Sequence, residues 1–446
     1  MLIHSASQLL TLSGGPQRGH ALGRLGILEN GAVLVRDETI LAVGSTQDLL
    51  AAYPNERCLD ACGCAVLPGF VDPHTHVIWA GERAAEFELK MAGAHYLEIL
   101  AAGGGILSTV RKTRAAPTER LMDETRPRLE RMFAHGTTTA EAKTGYGLQT
   151  ESELKLLESL LRLDAEGPLE LVPTFLGAHA IPPEFKDNPQ GYTDYLCNEM
   201  LPTVCAWWNN QSFDHAHAQL PTANRQSLPP VPRTLFVDVF CETGAFDLAQ
   251  SRQILTKAKE LGFPLKIHAD EFDNLGGASL AAGLGAASAD HLVRISAADI
   301  AALAQSETVA VCLPCTPFGL AEKEYTPAQK IIAADGLVAL ATDCNPGTAW
   351  CESMQFVIAL ACRTLRLTPA QAIVAATLNA AQALQRADRI GSIEPGKQAD
   401  LLVLSVPDYR QLAYRFGTNL VKQVVKRGKV YRVGSGYSLQ EFDHEH

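Results

Sequence analysis

The pattern of apolar and polar positions divides the chain into a middle section and two flanking ones. Over the first ~65 and last ~55 residues, short stretches alternate with period two between turn residues, as half-buried strands do. The clearest are Ala32–Val43, which carries the turn-prone pair Asp37-Glu38, and the late segments Asp400–Ser405 and Val421–Val433. In the middle, apolar strand candidates recur at Val66–Asp72, Thr137–Lys143, Glu170–Leu176 and Leu235–Cys241. Four more follow at Leu265–Ala269, Ala286–Asp290, Thr308–Leu313 and Val338–Thr342. Helical periodicity fills most of the gaps, as in Glu151–Asp164, Leu248–Leu261 and Ala297–Gln305. Eight strands, each followed by a helix or a long loop, predict an α/β fold built on a closed, TIM-like (β/α)₈ barrel. The predicted barrel spans 66–391. Residues 1–65 and 392–446 are predicted to pair into one small β-sandwich domain.

Two stretches interrupt this rhythm. Ala101–Arg114 holds Gly103-Gly104-Gly105 followed by Arg111, Lys112 and Arg114. It lacks the Gly-Lys-Ser/Thr of a phosphate loop and the spaced glycines of a dinucleotide fingerprint. It reads as a loop, either a lid over the site or a surface turn. Cys205–Pro232 is polar, Pro-rich and aperiodic, and reads as an insertion over 205–232.

Composition narrows the function classes. A net charge of −11 with no basic block argues against nucleic-acid partners. A small anionic substrate stays compatible, because one well-placed arginine binds a carboxylate. No apolar run approaches a membrane span of about 18 residues, and Met1–Leu12 lacks the basic and apolar regions of a signal peptide. Eleven irregularly spaced cysteines suit reduced thiols, so the expected location is cytoplasmic. Cys62-x-Cys64 and Cys312-x-x-Cys315 lack a second pair at zinc-finger spacing and read as core cysteines. The assembly is not legible, and a homodimer stays open.

The candidate chemistry gathers at predicted strand ends. The first strand ends in Pro68-Gly69-Phe70-Val71-Asp72-Pro73-His74-Thr75-His76. Residues two apart on an extended chain share a face, so both imidazoles can reach one ion. His268 ends the fifth strand, His291 the sixth and Asp343 the eighth, and active sites of this barrel lie at the C-terminal rim. Nitrogen and oxygen donors from His74, His76, His268 and Asp343 suit one divalent ion, zinc or iron. Ligands so far apart in sequence point to an open catalytic site, where the ion would acidify water towards a pKa of about 7. Glu271, three residues past His268, is placed to shuttle a proton, and His291 to donate to an oxyanion. Arg83 offers a bidentate partner for a substrate carboxylate or else forms a surface ion pair. His215-x-His217, inside the insertion, reads as structural.

These motifs resemble the amidohydrolase superfamily and, within it, the branch that opens an imidazolone ring in histidine degradation. The resemblance covers nearly the whole chain. Besides Pro68–His76 it includes Ala92-Gly93-Ala94-His95-Tyr96, Lys143-Thr144-Gly145-Tyr146-Gly147, Phe175-Leu176-Gly177-Ala178-His179, His268–Gly277, Ala289-Asp290-His291 and Ala341–Thr348. It implies one catalytic zinc or iron ion on His74, His76, His268 and Asp343. It implies hydrolysis of the cyclic amide of 4-imidazolone-5-propanoate to N-formimidoyl-L-glutamate. Implied substrate contacts fall on Arg83, Tyr96, Tyr146, His179, Glu271, His291, Asn345, Gly347 and Thr348, with Arg83 and His179 as partners of the propanoate. Glu271 or Asp343 would take the proton from water and return it to the departing ring nitrogen, while His291 steadies the oxyanion.

The chain departs from this pattern at Pro314-Cys315-Thr316-Pro317-Phe318-Gly319, in the length of 205–232, and at Glu271, where many members of the resembled family carry Gln, so that a role open to Glu alone is not general to the chemistry. Two alternatives remain: a deaminase of a nitrogen heterocycle, and a catalytically silent binding protein on the same barrel. A binuclear site is disfavoured, since Cys241 and Glu242 stand where a carbamylated lysine would end the fourth strand.

Overall fold

The computed structural model describes residues 1–93, 104–211, 234–434 and 439–441. Eight parallel strands pair in chain order: β1 Phe70–Asp72, β2 Thr137–Lys143, β3 Glu170–Ala178, β4 Phe236–Cys241, β5 Lys266–Ala269, β6 Ser288–His291, β7 Val309–Cys312 and β8 Val338–Leu340. All but one of their residues are buried, as expected for a sheet jacketed by helices on its outer face. The helices begin where local chemistry favours it. Asp247, for example, caps Leu248–Glu260 in a capping box with Gln250.

The seam between β1 and β8 is closed by side chains and by the segments just beyond the strands. Asp72 accepts from the Thr342 hydroxyl at 2.6 Å and from its backbone N–H at 3.1 Å. Above this, Asp343 N–H donates to the His74 carbonyl (3.1 Å) and His76 N–H to the Cys344 carbonyl (2.9 Å). Closure of the barrel therefore brings His74, His76 and Asp343 to one point on the rim.

The terminal segments form a second sheet of nine strands among the described residues. Its central strand Leu401–Leu404 alternates faces, as an extended chain must. Leu401 and Val403 join the terminal core with Val33 and Val66, whereas Leu402 and Leu404 join the barrel core. Glu170, at the start of β3, ties the two together through Arg386, Lys426 and Arg427.

Four expectations change in detail. The strand predicted at Val66–Asp72 is two: Ala65–Pro68 pairs in the terminal sheet, and only Phe70–Asp72 enters the barrel. The break falls at Gly69, where a Cβ would run into the Thr138 side chain. The loop expected at 101–114 is, in its described part, the helix Ile106–Ala115, which buries Thr109, Val110 and Thr113. The residues expected to open the insertion at Cys205 instead end the helix Leu201–Asn209, and 212–233 lie outside the described residues, as do His215 and His217. Cys312 and Cys315 are buried, but Cys62 is exposed, and all eleven cysteines are free. No helix among the described residues is long and apolar enough to cross a membrane.

Candidate active site

His74, His76 and Asp343 form one donor group on the barrel rim, and His268 joins it through the two histidines. His268 Nε2 faces His76 Nε2 at 3.3 Å, and Asp343 Oδ1 lies 3.5 Å from His74 Nε2 and 3.6 Å from His76 Nε2. His74 Nε2 is buried without a hydrogen-bond partner. Burial holds His74 and His76 well below the ordinary histidine pKa, so both are neutral with a lone pair to give. Buried nitrogens aimed at one another and at a carboxylate, one of them orphaned, fit a divalent cation among them. His291 stands within the same reach, since one nitrogen each from His74, His268 and His291 lies within 4.8 Å of the others.

The carboxylates near this point differ in setting. Burial raises Asp343 to about 6, against a hydrogen bond from Thr316 that favours its charge. Glu271 is pushed well above the usual glutamate range, first by burial and then by Asp343 and Glu242. Its Oε2 lies 3.6 Å from His291 Nε2. Glu242, at the end of β4, holds the turn that carries Glu271 by accepting from the N–H groups of Phe272 (3.0 Å) and Asp273 (3.1 Å). Asp270, His291 and Asp343 all have positive φ, a departure that non-glycine residues rarely make outside constrained sites.

The opposite wall is built on the loop after β2. Gly145 has φ +100°, and a Cβ there would meet His179 Nδ1 at 2.8 Å and the Leu176 carbonyl at 2.9 Å, so glycine is required. The buried Glu153 carboxylate gathers the N–H groups of Gly145, Gly147 and Leu148 and so sets Tyr146 between them. Tyr146 is buried, and its desolvated phenol stays protonated as a donor. His179 stacks on His76 at 4.9 Å, and burial lowers it to about 3. Its Nδ1 donates to the Gly145 carbonyl at 3.0 Å, which leaves Nε2 as an acceptor. A neutral acceptor suits a substrate N–H rather than the propanoate expected of it.

The remaining predicted contacts lie on the loops after β1 and β8. Arg83 pairs with Glu86 through Nε (2.8 Å) and Nη2 (2.7 Å), and its Nη1 rests against Gly347. Asn345 spends its side chain on its own loop, accepting from the N–H groups of Gly347 and Thr348 (both 2.8 Å) and donating to the Asp343 carbonyl (2.7 Å). Tyr96 lies outside the described residues.

Glu153, Thr316 and a charged layer beneath the histidines carry no role assigned from sequence: Glu141 and Lys143 on β2, Asp238 on β4, Lys266 on β5 and Asp290 on β6. Charged residues at inward positions of otherwise apolar barrel strands were the available signal.

A (β/α)₈ barrel with a His/Asp cluster at its C-terminal rim defines a hydrolase of the amidohydrolase class, and residues 242–431 match the family model described as Amidohydrolase family. Residues 31–55 match a model described as Imidazolonepropionase-like composite domain, bacteria. The chain is 51% identical to an imidazolonepropionase of Herpetosiphon aurantiacus, over 97% of both chains. It is 48% identical to one of Chloroflexus aggregans, over 96% of this chain and 98% of the other. The chain belongs to the imidazolonepropionase family. Among solved structures, a triazine hydrolase variant superposes with a TM-score of 0.74 at 15% identity, covering 99% of this chain and 96% of the other. An adenosine deaminase from Xanthomonas campestris with bound zinc gives 0.67 at 20% identity, covering 99% and 94%. These two likenesses concern the fold.

Proposed function

We propose that this protein hydrolyses the cyclic amide of 4-imidazolone-5-propanoate to N-formimidoyl-L-glutamate, using one divalent ion, zinc or ferrous iron, held by His74, His76, His268 and Asp343. The observation that carries this reading is the convergence of those four donors beside a buried, high-pKa Glu271. When bound, the ion supplies Lewis acidity, polarising the lactam carbonyl and acidifying water. Glu271 takes the proton from the attacking water and returns it to the ring nitrogen as the C–N bond breaks. Its raised pKa suits it to both halves of that transfer, and Asp343, at about 6, is the other candidate. His291, which burial holds well below the ordinary histidine pKa and so neutral, steadies the developing oxyanion by donating a ring N–H. Arg83 takes the propanoate, Tyr146 donates from its phenol, and His179 Nε2 accepts a ring N–H. The neighbouring loop carrying Gly347 and Thr348 shapes the side-chain pocket.

The test is turnover by metal-loaded protein of imidazolone propanoate alongside a panel of cyclic amides and aminated heterocycles. Formation of N-formimidoyl-L-glutamate is the expected result. Release of ammonia from an aminated heterocycle, with the imidazolone untouched, would make the protein a deaminase. Metal binding with neither activity would make it a binding protein.

A further inference from the structure

Beneath the four donors lies a layer of five charged side chains, all wholly buried: Glu141, Lys143, Asp238, Lys266 and Asp290. Each sits on a barrel strand and points to the axis. Glu141 and Lys143 are two apart on β2, and Lys266 is two before His268 on β5, so period two stacks lysine under ligand. Lys143 Nζ lies 2.8 Å from Glu141 Oε1 and 2.7 Å from Asp238 Oδ2. Lys266 Nζ lies 3.0 Å from Glu141 Oε2 and donates to the Pro73 carbonyl just before His74. Both ammoniums stand within 4 Å of Asp290 Oδ2, at 3.8 and 3.9 Å.

The same two aspartate oxygens reach upward. Asp290 Oδ2 accepts from His74 Nδ1 at 2.6 Å. Asp238 Oδ2 lies 3.0 Å from His268 Nδ1, somewhat off the N–H direction. A carboxylate only accepts, so each contact puts the imidazole proton on Nδ1 and the lone pair on Nε2. Nε2 is the atom that faces the convergence point in both rings.

We propose that Asp238 and Asp290, fixed by Lys143 and Lys266, are positioning residues that set the tautomer and aim of His268 and His74 before any metal arrives. Three carboxylates buried without cations would be strongly disfavoured, and the two lysines offset all but one negative charge. Lys143 shows the balance: burial opposes its charge, yet Asp238 and Glu141 hold its pKa above the ordinary lysine value. The cluster is thus a rigid anionic seat for two ligands, built entirely below the reacting atoms.

The inference rests on the metal reading of the four donors, and its test separates the two. Zinc alone is titrated, against a competing chelator, into wild type and the single variants D238N, D290N and E170Q. Loss of a partner behind a ligating histidine typically weakens metal binding 10–100-fold, and that is expected of D238N and D290N. E170Q disturbs a largely buried ion cluster at the other end of the barrel, so it is expected to lose stability and keep wild-type affinity. Wild-type affinity in D238N and D290N would overturn the inference while leaving the metal site intact. No zinc binding by wild type would overturn the metal reading itself. Should the aspartate variants not fold, ¹⁵N spectra of histidine-labelled wild-type apoprotein decide: protons on Nδ1 of His74 and His268 support the proposal, and protons on Nε2 overturn it.

Discussion

Thr316 donates its hydroxyl proton to Asp343 Oδ2 across 2.5 Å, with both side chains buried. The donor comes from the short helix Cys315–Gly319 after β7, within one of the three stretches expected to depart from the family pattern. Burial raises Asp343, and this bond pulls the other way. A hydrogen bond to a charged group contributes about 1.5–3 kcal/mol. T316V, which keeps shape and loses the donor, is expected to weaken zinc binding roughly tenfold or more by that figure, and T316S to restore it. Because protons then compete better for Asp343, the deficit should widen as pH falls. Equal affinities for T316V and wild type at pH 7 and pH 6 would remove Thr316 from the site.

The pH profile of turnover tests Glu271. A base must be ionised in the free enzyme, and burial keeps this carboxyl protonated to a higher pH than an ordinary glutamate. The acid limb of kcat/KM is therefore expected above the usual glutamate value. E271Q should lower kcat by about 10²–10⁴ with little change in KM, and should lose that limb. Near-normal turnover by E271Q would exclude Glu271 as the obligatory base and leave the role to Asp343.

Arg83 and Gly347 form the third test. The guanidinium is held by Glu86 and rests on Gly347, where a Cβ would run into Nη1. R83K keeps the charge and loses the planar fork, so KM for the propanoate substrate should rise roughly 10–100-fold, the worth of a charged hydrogen-bond pair. G347A should raise it in the same direction by pushing the side chain aside. An analogue lacking the carboxylate should show neither effect. If R83K affects both substrates alike, Arg83 is a structural ion pair with Glu86.

What could be read from the sequence follows from how locally each feature is encoded. The eight apolar runs mark barrel strands because burial on both faces leaves its trace in consecutive residues. His74-x-His76 is legible for the same reason: two residues two apart share a face whatever the rest of the chain does. Asp238 and Asp290 are different. Each is one charge in an apolar strand, and its partners Lys143 and His74 lie 95 and 216 residues away. Only barrel closure makes such a residue a partner rather than a flaw in the pattern. The Gly103–Gly105 run suggested a loop, yet Gly105, with φ +75°, is the residue from which the helix Ile106–Ala115 departs. Glycine marks the turn and says nothing of the amphipathic residues that follow it.

The join between barrel and terminal sheet gives a stability test that leaves the active site untouched. Glu170 accepts from Lys426 (3.1 Å), Arg427 (2.8 Å) and Arg386, while Asp400 shares Lys426 at 2.7 Å. Burial disfavours the Glu170 charge, but Lys426, Arg386 and Arg427 outweigh that and hold its pKa well below the usual glutamate value. In the unfolded chain the same carboxyl titrates at about 4.3. Above that pH both states are ionised and the stabilisation is complete. Below it the unfolded chain takes up a proton that the folded protein refuses, so stability drains away as pH falls towards the folded pKa. Breaking a buried ion cluster by removing one partner costs about 3–5 kcal/mol. E170Q should therefore lower the urea midpoint clearly at pH 7 and equally at pH 5.5. The gap to wild type should narrow at pH 3.5, where wild type has lost part of the same contribution. A gap that stays constant down to pH 3.5 would show that Glu170 is not held ionised by its three cations. The ion pairs would then contribute packing and hydrogen bonds to the join, without the charge-dependent stabilisation.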